Sequence, residues 1–285
     1  MVTAGPLRFH CWQIGEGDRL ALLLHGFPDD AGSMLGLARA LADAGYVAIA
    51  PNLRGYGATD LAPDGDYDVG ALARDVVALV RGLGYSRAAL VGHDWGAVAS
   101  YAAVAIAPEL FPRVVTMAIP PLPCFLRALT TSAQLRRSWY MGYLQLPGAA
   151  ARVRADDFAF IERLWRDWSP GWRAPPERLS SVKRTLRHPG TLEAALAYYR
   201  QTRPGPRGLR YYVRTLRELL RPISSNTLIL AGVRDGCVGV EAFARAREFV
   251  DGPCRVELIA DAGHFLHLER PELVRALVTE HLTRA

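Results

Sequence analysis

The most informative segment of the chain is a short turn in which an aspartate stands between two glycines. The turn, Gly92-His93-Asp94-Trp95-Gly96, follows an apolar run and precedes a helix-forming one. This is the pattern of a nucleophile elbow, in which the central residue has strained backbone angles and small neighbours prevent collisions across the turn. The sequence therefore predicts that Asp94 is a nucleophile. Its alternative role is that of an ordinary helix N-cap.

An aspartate nucleophile suits a different reaction from the more usual serine. A serine that attacked a saturated carbon would form an ether, which water does not readily cleave. A carboxylate forms an ester, which a histidine-activated water can hydrolyse at the carbonyl carbon. Asp94 therefore indicates displacement at a saturated carbon, as in an epoxide or a carbon–halogen bond, and argues against esters and amides as substrates.

A histidine follows the turn at the place in the chain where a base is needed. His264, in Asp261-Ala262-Gly263-His264-Phe265, comes after the last strand-like run and is the predicted base. His267, three residues later, is a competing candidate with the alternative role of a residue at a helix start. The other histidines are predicted to be structural: His10, His25, His93, His188 and His281.

Asp235 is the predicted acid that orients this base. It stands in Gly232-Val233-Arg234-Asp235-Gly236, directly after an apolar run, where an acid can hold the histidine in one tautomer. An acid after the strand-like run at 114–119 is excluded, because no Asp or Glu occurs between Glu109 and Asp156. The alternative interpretation of Asp235 is a turn residue before a glycine.

A second loop supplies the donors that ester hydrolysis needs. The reaction passes through an oxyanion that is stabilised by two preorganised hydrogen-bond donors. The loop His25-Gly26-Phe27-Pro28 follows an apolar run, as an oxyanion loop should. Because Pro28 has no amide hydrogen, the predicted pair is the backbone amides of Phe27 and Trp95. The alternative is that the tetrapeptide is only a turn that ends a strand.

Strand-like and helix-like runs alternate along most of the chain. Several strand-like runs are continuously apolar, which is typical of strands buried on both faces of a parallel sheet. The predicted strands cover 7–14, 19–25, 46–50, 88–92, 114–119, 227–231 and 255–260. The predicted helices cover 33–43, 68–82, the segment after the turn at Asp94, 240–249 and a closing segment from Pro271.

This alternation stops at Pro120-Pro121-Leu122-Pro123 and resumes after Pro222. The intervening residues contain helical stretches and four tryptophans but no strand-like run. We therefore predict an α/β core, residues 1–120 and 222–285, that is interrupted by a helical cap at residues 121–221.

Composition places the chain among globular proteins. The 285 residues, 50% of them hydrophobic, suffice for a sizeable buried core. No apolar run is long enough for a membrane-spanning helix, and the N-terminus has no secretory pattern. The four cysteines are widely spaced and have no metal-ligand spacing. We expect a cytoplasmic protein with free thiols, with no metal and no organic cofactor.

Positive charge is concentrated in the predicted cap. Residues 121–221 contain 19 Lys and Arg against 7 Asp and Glu, and the rest of the chain contains 15 against 21. An arginine bias often reflects only the base composition of a genome. Weak membrane-surface association through the basic cap, or a preference for anionic substrates, stays open. Nucleic-acid binding is not expected, because no recognition motif accompanies the charge. The sequence also leaves a homodimer open.

Taken together, these motifs resemble those of the epoxide hydrolases of the α/β-hydrolase superfamily, over almost the whole chain. Gly92-His93-Asp94-Trp95-Gly96-Ala97 is typical of aspartate-nucleophile members, and His25-Gly26-Phe27-Pro28, Asp235 and His264 also match. The resemblance implies an α/β-hydrolase fold, with a mostly parallel central sheet flanked by helices and an inserted helical cap. It implies hydrolysis of a small epoxide to a vicinal diol through an ester on Asp94. The aromatic cap suggests an apolar substrate.

The resemblance also implies two cap tyrosines as proton donors to the opening epoxide. The segment 138–148 matches one family motif and gives Tyr140, and Tyr198-Tyr199-Arg200 matches the other and gives Tyr199. Four further cap tyrosines are predicted to be packing residues: Tyr143, Tyr198, Tyr211 and Tyr212. The chain departs from related caps at Gly148-Ala149-Ala150, which leaves the local cap shape and the substrate range open.

Two alternatives remain. Haloalkane dehalogenases use the same kind of Asp-His-Asp triad and also have a tryptophan at the position of Trp95. However, many of them have Asn where this chain has Phe27, and the related fluoroacetate dehalogenases have Arg at the position of Trp95. The second alternative is a non-catalytic, small-molecule-binding protein on the same scaffold, which would not need a full triad.

Overall fold

A seven-stranded sheet forms the centre of the molecule in the computed structural model, which describes residues 1–203 and 208–284. The order of strands is β3-β5-β4-β6-β7-β8-β9, and only β3 runs antiparallel to its neighbour. The strands are β3 (Cys11–Ile14), β4 (Leu20–Leu24), β5 (Val47–Pro51), β6 (Ala88–His93), β7 (Arg113–Met117), β8 (Asn226–Gly232) and β9 (Cys254–Ile259). The predicted mostly parallel sheet is confirmed.

Helices cover both faces of this sheet. Strands β4, β5 and β6 are buried along their whole length, which explains their continuous apolar sequences. One apolar cluster joins the sheet to α1 (Leu35–Asp43) and α12 (Pro271–Thr283). The other joins it to α2 (Val69–Gly82) and α3 (Trp95–Ile106), and continues into the helical stretch that follows β7.

Between β7 and β8, every regular secondary-structure element of the described residues is a helix. Within the described residues of this stretch, no residue joins a strand of the sheet. The helices are α4 (Leu122–Ala128), α5 (Ser132–Arg137), α6 (Trp139–Tyr143), α7 (Ala149–Trp168), α8 (Pro176–Arg187), α9 (Thr191–Arg200) and α10 (Gly208–Leu219). Helix α7 is interrupted at Asp156, Asp157 and Phe158, where φ is positive. These helices fall within residues 121–221, whose function as a cap stays a prediction.

Two local predictions were wrong. Residues 7–14 do not form one strand, because the chain breaks at His10, whose amide donates to Thr59 Oγ1. The first part, β2 (Leu7–Phe9), pairs instead with β1 (Val2–Ala4) in a separate two-stranded sheet. Residues 240–249 form two short 3₁₀ turns, Val240–Phe243 and Ala246–Phe249, because Arg245 between them leaves helical backbone angles. A four-residue helix, α11 (Leu266–Glu269), precedes α12.

The carboxyl ends of the parallel strands meet at one edge of the sheet. The loops that follow β4, β6, β8 and β9 carry His25, Asp94, Asp235 and His264 respectively. Crevices at this edge are where α/β proteins place their ligands. None of the helices in the described parts of the chain is both long and apolar enough to cross a membrane.

His25 fixes the loop after β4 by hydrogen bonds that require a neutral ring. Its Nε2 accepts from the Leu53 amide at 3.0 Å, so its Nδ1 is protonated and donates to Gly26 O at 2.9 Å. Burial lowers the pKa of His25 from 6.5 to about 4, and the bond to Gly26 opposes this change only in part. The folded state therefore disfavours the protonated ring, and the stability present above pH 6.5 is lost as the pH falls toward 4.

We expect the free energy of unfolding to fall by about 2 kcal/mol through His25 alone between about pH 7 and pH 5. Denaturant titrations of the wild type and of His25→Gln measure this contribution, because the variant should lose less stability over the same interval. His188→Gln is the control, since His188 is exposed. Equal pH dependence in the wild type and in His25→Gln would contradict the assignment.

Candidate active site

The turn between β6 and α3 has the strained backbone that its sequence predicts. Asp94 has φ 50° and ψ −118°, a combination that is costly for a residue with a side chain. A Cβ atom at Gly92 would lie 2.3 Å from Gly96 O, and one at Gly96 would lie 2.1 Å from Leu24 O. Both contacts are with backbone atoms, so only glycine fits at either position. The result is an aspartate held at the tip of a sharp turn.

Asp94, Asp235 and His264 come together at the sheet edge. His264 Nδ1 lies 2.9 Å from Asp235 Oδ2, and His264 Nε2 lies 3.6 Å from Asp94 Oδ2. His264 is fully buried, and each aspartate is 4% exposed. The structure therefore places the three predicted triad residues in one chain of contacts, with the imidazole between two carboxylates.

Backbone amides hold Asp235 in the orientation that this contact needs. Asp235 Oδ1 accepts from the amides of Cys237 at 2.6 Å and Val238 at 2.9 Å. Its other oxygen is therefore free to accept from His264 Nδ1. This arrangement fixes the tautomer of the ring and leaves Nε2 facing the nucleophile.

The two carboxylates determine the protonation of His264. Burial alone would lower the pKa of His264, but the charge of Asp235 and the contacts with Asp235 and Asp94 raise it well above its usual value. The resting site therefore favours an imidazolium between two anions. Loss of the charge on Asp94 would remove one of the interactions that hold this proton.

The loop after β4 lies against the nucleophile. The Phe27 amide donates to Asp94 Oδ1 at 2.8 Å, so one of the two predicted oxyanion donors already contacts the reacting carboxyl group. The Trp95 amide lies in the first turn of α3, where backbone amides have no intrahelical acceptor. The Phe27 amide therefore lies next to the carbonyl at which hydrolysis of an Asp94 ester would occur, and the Trp95 amide, which directly follows Asp94 in the chain, stays the second predicted donor.

Tyr140 and Tyr199 face the same space from the helical stretch. Tyr140 belongs to α6 and Tyr199 to α9, and their ring centroids are 5.8 Å apart. The Tyr199 ring also packs edge-on against Phe27 and Trp95. Burial raises the pKa of both tyrosines well above the usual value, and the charge of Asp94 adds to the shift at Tyr199. Both side chains are therefore phenols at neutral pH.

A cavity of about 340 Å³ connects these groups. Asp94, Trp95, Tyr140 and Tyr199 line it, and most of the remaining wall is apolar. Tyr212, predicted to be only a packing residue, also lines it. The apolar wall includes Val98, Ile119, Phe125, Leu129, Met141 and Leu216.

The end of α7 supports the acid and the base, which the sequence did not predict. The Trp168 carbonyl accepts from the amides of Gly236 at 3.0 Å and His264 at 3.1 Å. One helix end therefore ties together the loops after β8 and β9. Glu269 strengthens this junction, because it accepts from Ser169 Oγ at 2.6 Å and from the Gly263 amide at 2.8 Å. Backbone contacts of this kind leave no pattern in a sequence.

His267, the competing candidate for the base, lies behind the site. Its ring packs against His93 at a centroid distance of 4.6 Å, and burial lowers its pKa well below the usual value. His93 in turn hydrogen-bonds to His264 O through Nε2 at 2.9 Å. His264 is thus the candidate that contacts Asp235 and Asp94, whereas His93 supports the backbone of His264.

Two groups of described side chains have the chemistry of metal ligands. Asp235, Cys237 and His264 form one, and Asp29, His93 and His267 form the other, with ligand atoms within 4.8 Å in each group. The first group contains the acid and the base. In the second, Arg178 Nη2 already lies 3.7 Å from Asp29 Oδ1, a position in which it would repel a divalent cation. We assign neither group as a metal site.

Known proteins are similar to this chain in sequence and fold. The family model for the α/β-hydrolase fold matches residues 22–271. Epoxide hydrolase A of Mycobacterium tuberculosis is 34% identical, over 99% of this chain and 96% of its own length. Epoxide hydrolase 3 of Xenopus tropicalis is 31% identical, over 97% of this chain and 75% of its own length. The crystal structure of epoxide hydrolase A from Mycobacterium thermoresistibile superposes with a TM-score of 0.84 at 29% identity, over 99% and 96% of the two chains. The chain belongs to the α/β-hydrolase fold family and, within it, to the epoxide hydrolases.

Proposed function

We propose that the protein hydrolyses an apolar epoxide to a vicinal diol, with Asp94 as nucleophile, His264 as base and Asp235 as the acid that orients the base. The observation that carries this proposal is a single cavity that contains Asp94, Tyr140 and Tyr199. An aspartate nucleophile and two buried phenols together meet the needs of epoxide opening, a carboxylate to attack carbon and donors for the departing oxygen.

In the first step Asp94 attacks a ring carbon of the epoxide. The ring oxygen accepts hydrogen bonds from the hydroxyls of Tyr140 and Tyr199, and one of the tyrosines gives it a proton as the carbon–oxygen bond breaks. The product is a hydroxyalkyl ester on Asp94. The strain of the three-membered ring contributes to the driving force, so the step needs no cofactor.

In the second step water attacks the carbonyl carbon of the ester. Esterification removes the negative charge of Asp94, so the pKa of His264 falls from its raised resting value. The imidazolium then gives up its proton, which replaces the one that the tyrosine gave to the substrate, and the neutral ring can accept a proton from water. Asp235 stabilises the imidazolium that forms. The amides of Phe27 and Trp95 donate to the oxyanion, and its collapse releases the diol and regenerates the Asp94 carboxylate.

The haloalkane dehalogenase alternative has less support in this cavity. Such an enzyme binds the leaving halide with a second Trp or Asn, and Trp95 is the sole Trp or Asn among the described residues that line the cavity. The Trp165 indole donates instead to Pro28 O at 2.8 Å. The contacts of His264 with both carboxylates likewise disfavour a non-catalytic binding protein, which would not need them.

The proposal also includes the role of the helical stretch between β7 and β8. Residues 121–221 act as a cap that closes the cavity over the core. A cytoplasmic location, a homodimer and weak association of the basic cap with membrane surfaces stay predictions from the sequence.

We expect Asp94→Ala to lower diol formation by on the order of 10⁴-fold or more, because no other group can form the ester.

His264→Gln should stop at the ester, which mass spectrometry of the intact protein would detect as a substrate adduct on Asp94. Asp261→Asn, an exposed aspartate in the same loop as His264, is the control. The assay uses aryl and alkyl epoxides beside bromoalkanes. Bromide release without diol would assign the protein as a dehalogenase.

We expect Tyr140→Phe and Tyr199→Phe each to lower kcat/KM by on the order of 10²–10³-fold, because each removes one donor while the other remains. The double variant should be inactive on epoxides. Tyr143→Phe is the matched control, because Tyr143 lies in α6 and stacks on Phe160. Full activity in Tyr199→Phe together with complete loss in Tyr140→Phe would refute a shared role.

A further inference from the structure

Cys237 lies between the proton donor and the base. It follows Asp235 by two residues in the loop after β8 and is 1% exposed. Its Sγ is 3.3 Å from the hydroxyl oxygen of Tyr140. The same sulfur, a carboxylate oxygen of Asp235 and a ring nitrogen of His264 all lie within 4.8 Å of one another. The thiol thus faces both groups that gain or lose a proton in the reaction.

Cys237 is the one hydrogen-bond partner that the described residues provide for the Tyr140 hydroxyl. In the resting site the tyrosine can donate to the sulfur. When an epoxide occupies the cavity, the Tyr140 proton turns to the epoxide oxygen, and the thiol can then donate its own proton to the phenol oxygen. A thiol is both a weak donor and a weak acceptor, so it can take either part.

Proton donation by Tyr140 creates a problem that the rest of the site does not solve. Burial raises the pKa of Tyr140, so a phenolate at this position is strongly disfavoured. Once the proton has passed to the substrate, this phenolate forms in a buried site with no described cationic side chain as its hydrogen-bond partner. The oxyanion amides do not help, because they lie at the Asp94 carbonyl. A donor is needed at Tyr140 itself.

We propose that Cys237 is a positioning residue that donates its S–H group to Tyr140 and returns to that tyrosine the proton it gives to the substrate. The source of the returned proton is His264. This inference rests on the proposed epoxide hydrolysis, and it takes Tyr140 as the tyrosine that protonates the opening ring.

The proton balance of this relay is complete. Asp94 forms its bond to the epoxide carbon, the carbon–oxygen bond breaks, and Tyr140 protonates the alkoxide. The S–H proton of Cys237 moves to the phenolate, and the Nε2 proton of the His264 imidazolium replaces it on the sulfur. His264 is then neutral, as the second step requires. It recovers a proton from the attacking water, and the other water proton leaves with the diol.

The surroundings of the thiol suit this role. Burial raises the pKa of Cys237, so the thiol keeps its proton and acts as a neutral donor. The loop is fixed, because the Cys237 amide donates to Asp235 Oδ1 and its carbonyl accepts from Gln134 Nε2 at 2.8 Å. The S–H bond can then rotate toward the Tyr140 oxygen while the sulfur stays within 4.8 Å of a ring nitrogen of His264.

The test compares Cys237→Ala, which removes the donor, with Cys237→Ser, which keeps one. Cys254→Ser is the control, because Cys254 begins β9 at the opposite edge of the sheet. Single-turnover measurements follow ester formation by tryptophan fluorescence and the phenolate by the ultraviolet absorption of tyrosinate, with an epoxide that the wild type hydrolyses. Thermal unfolding of each variant shows that it is folded.

We expect Cys237→Ala to form the ester about 3- to 10-fold more slowly than the wild type, the effect of losing one neutral hydrogen bond. Tyrosinate should accumulate transiently in this variant and not in the wild type. Cys237→Ser should restore ester formation to within about twofold of the wild-type rate, because its hydroxyl also donates.

Two results would overturn the inference. One is wild-type kinetics in Cys237→Ala. The other is equal slowing in Cys237→Ala and Cys237→Ser without tyrosinate, which would show that the side chain only fills space. Failure of the proposed function is distinguishable from failure of the Cys237 inference, because the wild type itself would then form no diol and no ester on Asp94.

Discussion

Two buried carboxylates share one imidazole in this protein, and the rest of the site depends on that arrangement. An isolated charge in a protein interior is costly, and a buried ion pair is worth having only when its remaining hydrogen bonds are satisfied. Asp235 meets this condition with two backbone amides, and Asp94 receives the Phe27 amide. His264 supplies the compensating positive charge between them. Each of these loops therefore contributes a contact that holds the nucleophile, the acid and the base together.

The helical stretch contributes to this balance as well as lining the cavity. The Trp168 carbonyl joins the acid loop to the base loop, and Ser169 and Glu269 extend the junction. A change in the position of the end of α7 would therefore alter the Asp235–His264 contact. The geometry of the acid and the base thus depends on a helix end that lies outside the residues lining the cavity.

The sequence predicted those features that arise from local physical constraints. The elbow at Asp94 could be predicted because only glycine fits beside it, and the parallel sheet because β4, β5 and β6 are apolar on both faces. The sequence wrongly predicted one helix at 240–249, because apolar spacing does not reveal the break at Arg245. Tyr140 and Tyr199 were found through family motifs alone. The contact between Tyr140 and Cys237 joins residues 97 positions apart, and no local pattern encodes it.

A buried site favours a reaction in which charge moves without being created. At rest, Asp94 and Asp235 are anions and His264 is a cation, so the site carries one net negative charge. Ring opening neutralises Asp94 and would place the lost charge on Tyr140. Transfer of the imidazolium proton to that phenolate restores a neutral tyrosine and a neutral histidine, and one negative charge remains on Asp235. The net charge is thus the same in each state, which avoids a repeated desolvation penalty. This constancy is the physical reason to expect a proton path between His264 and Tyr140, and the thiol of Cys237 is the group that lies there.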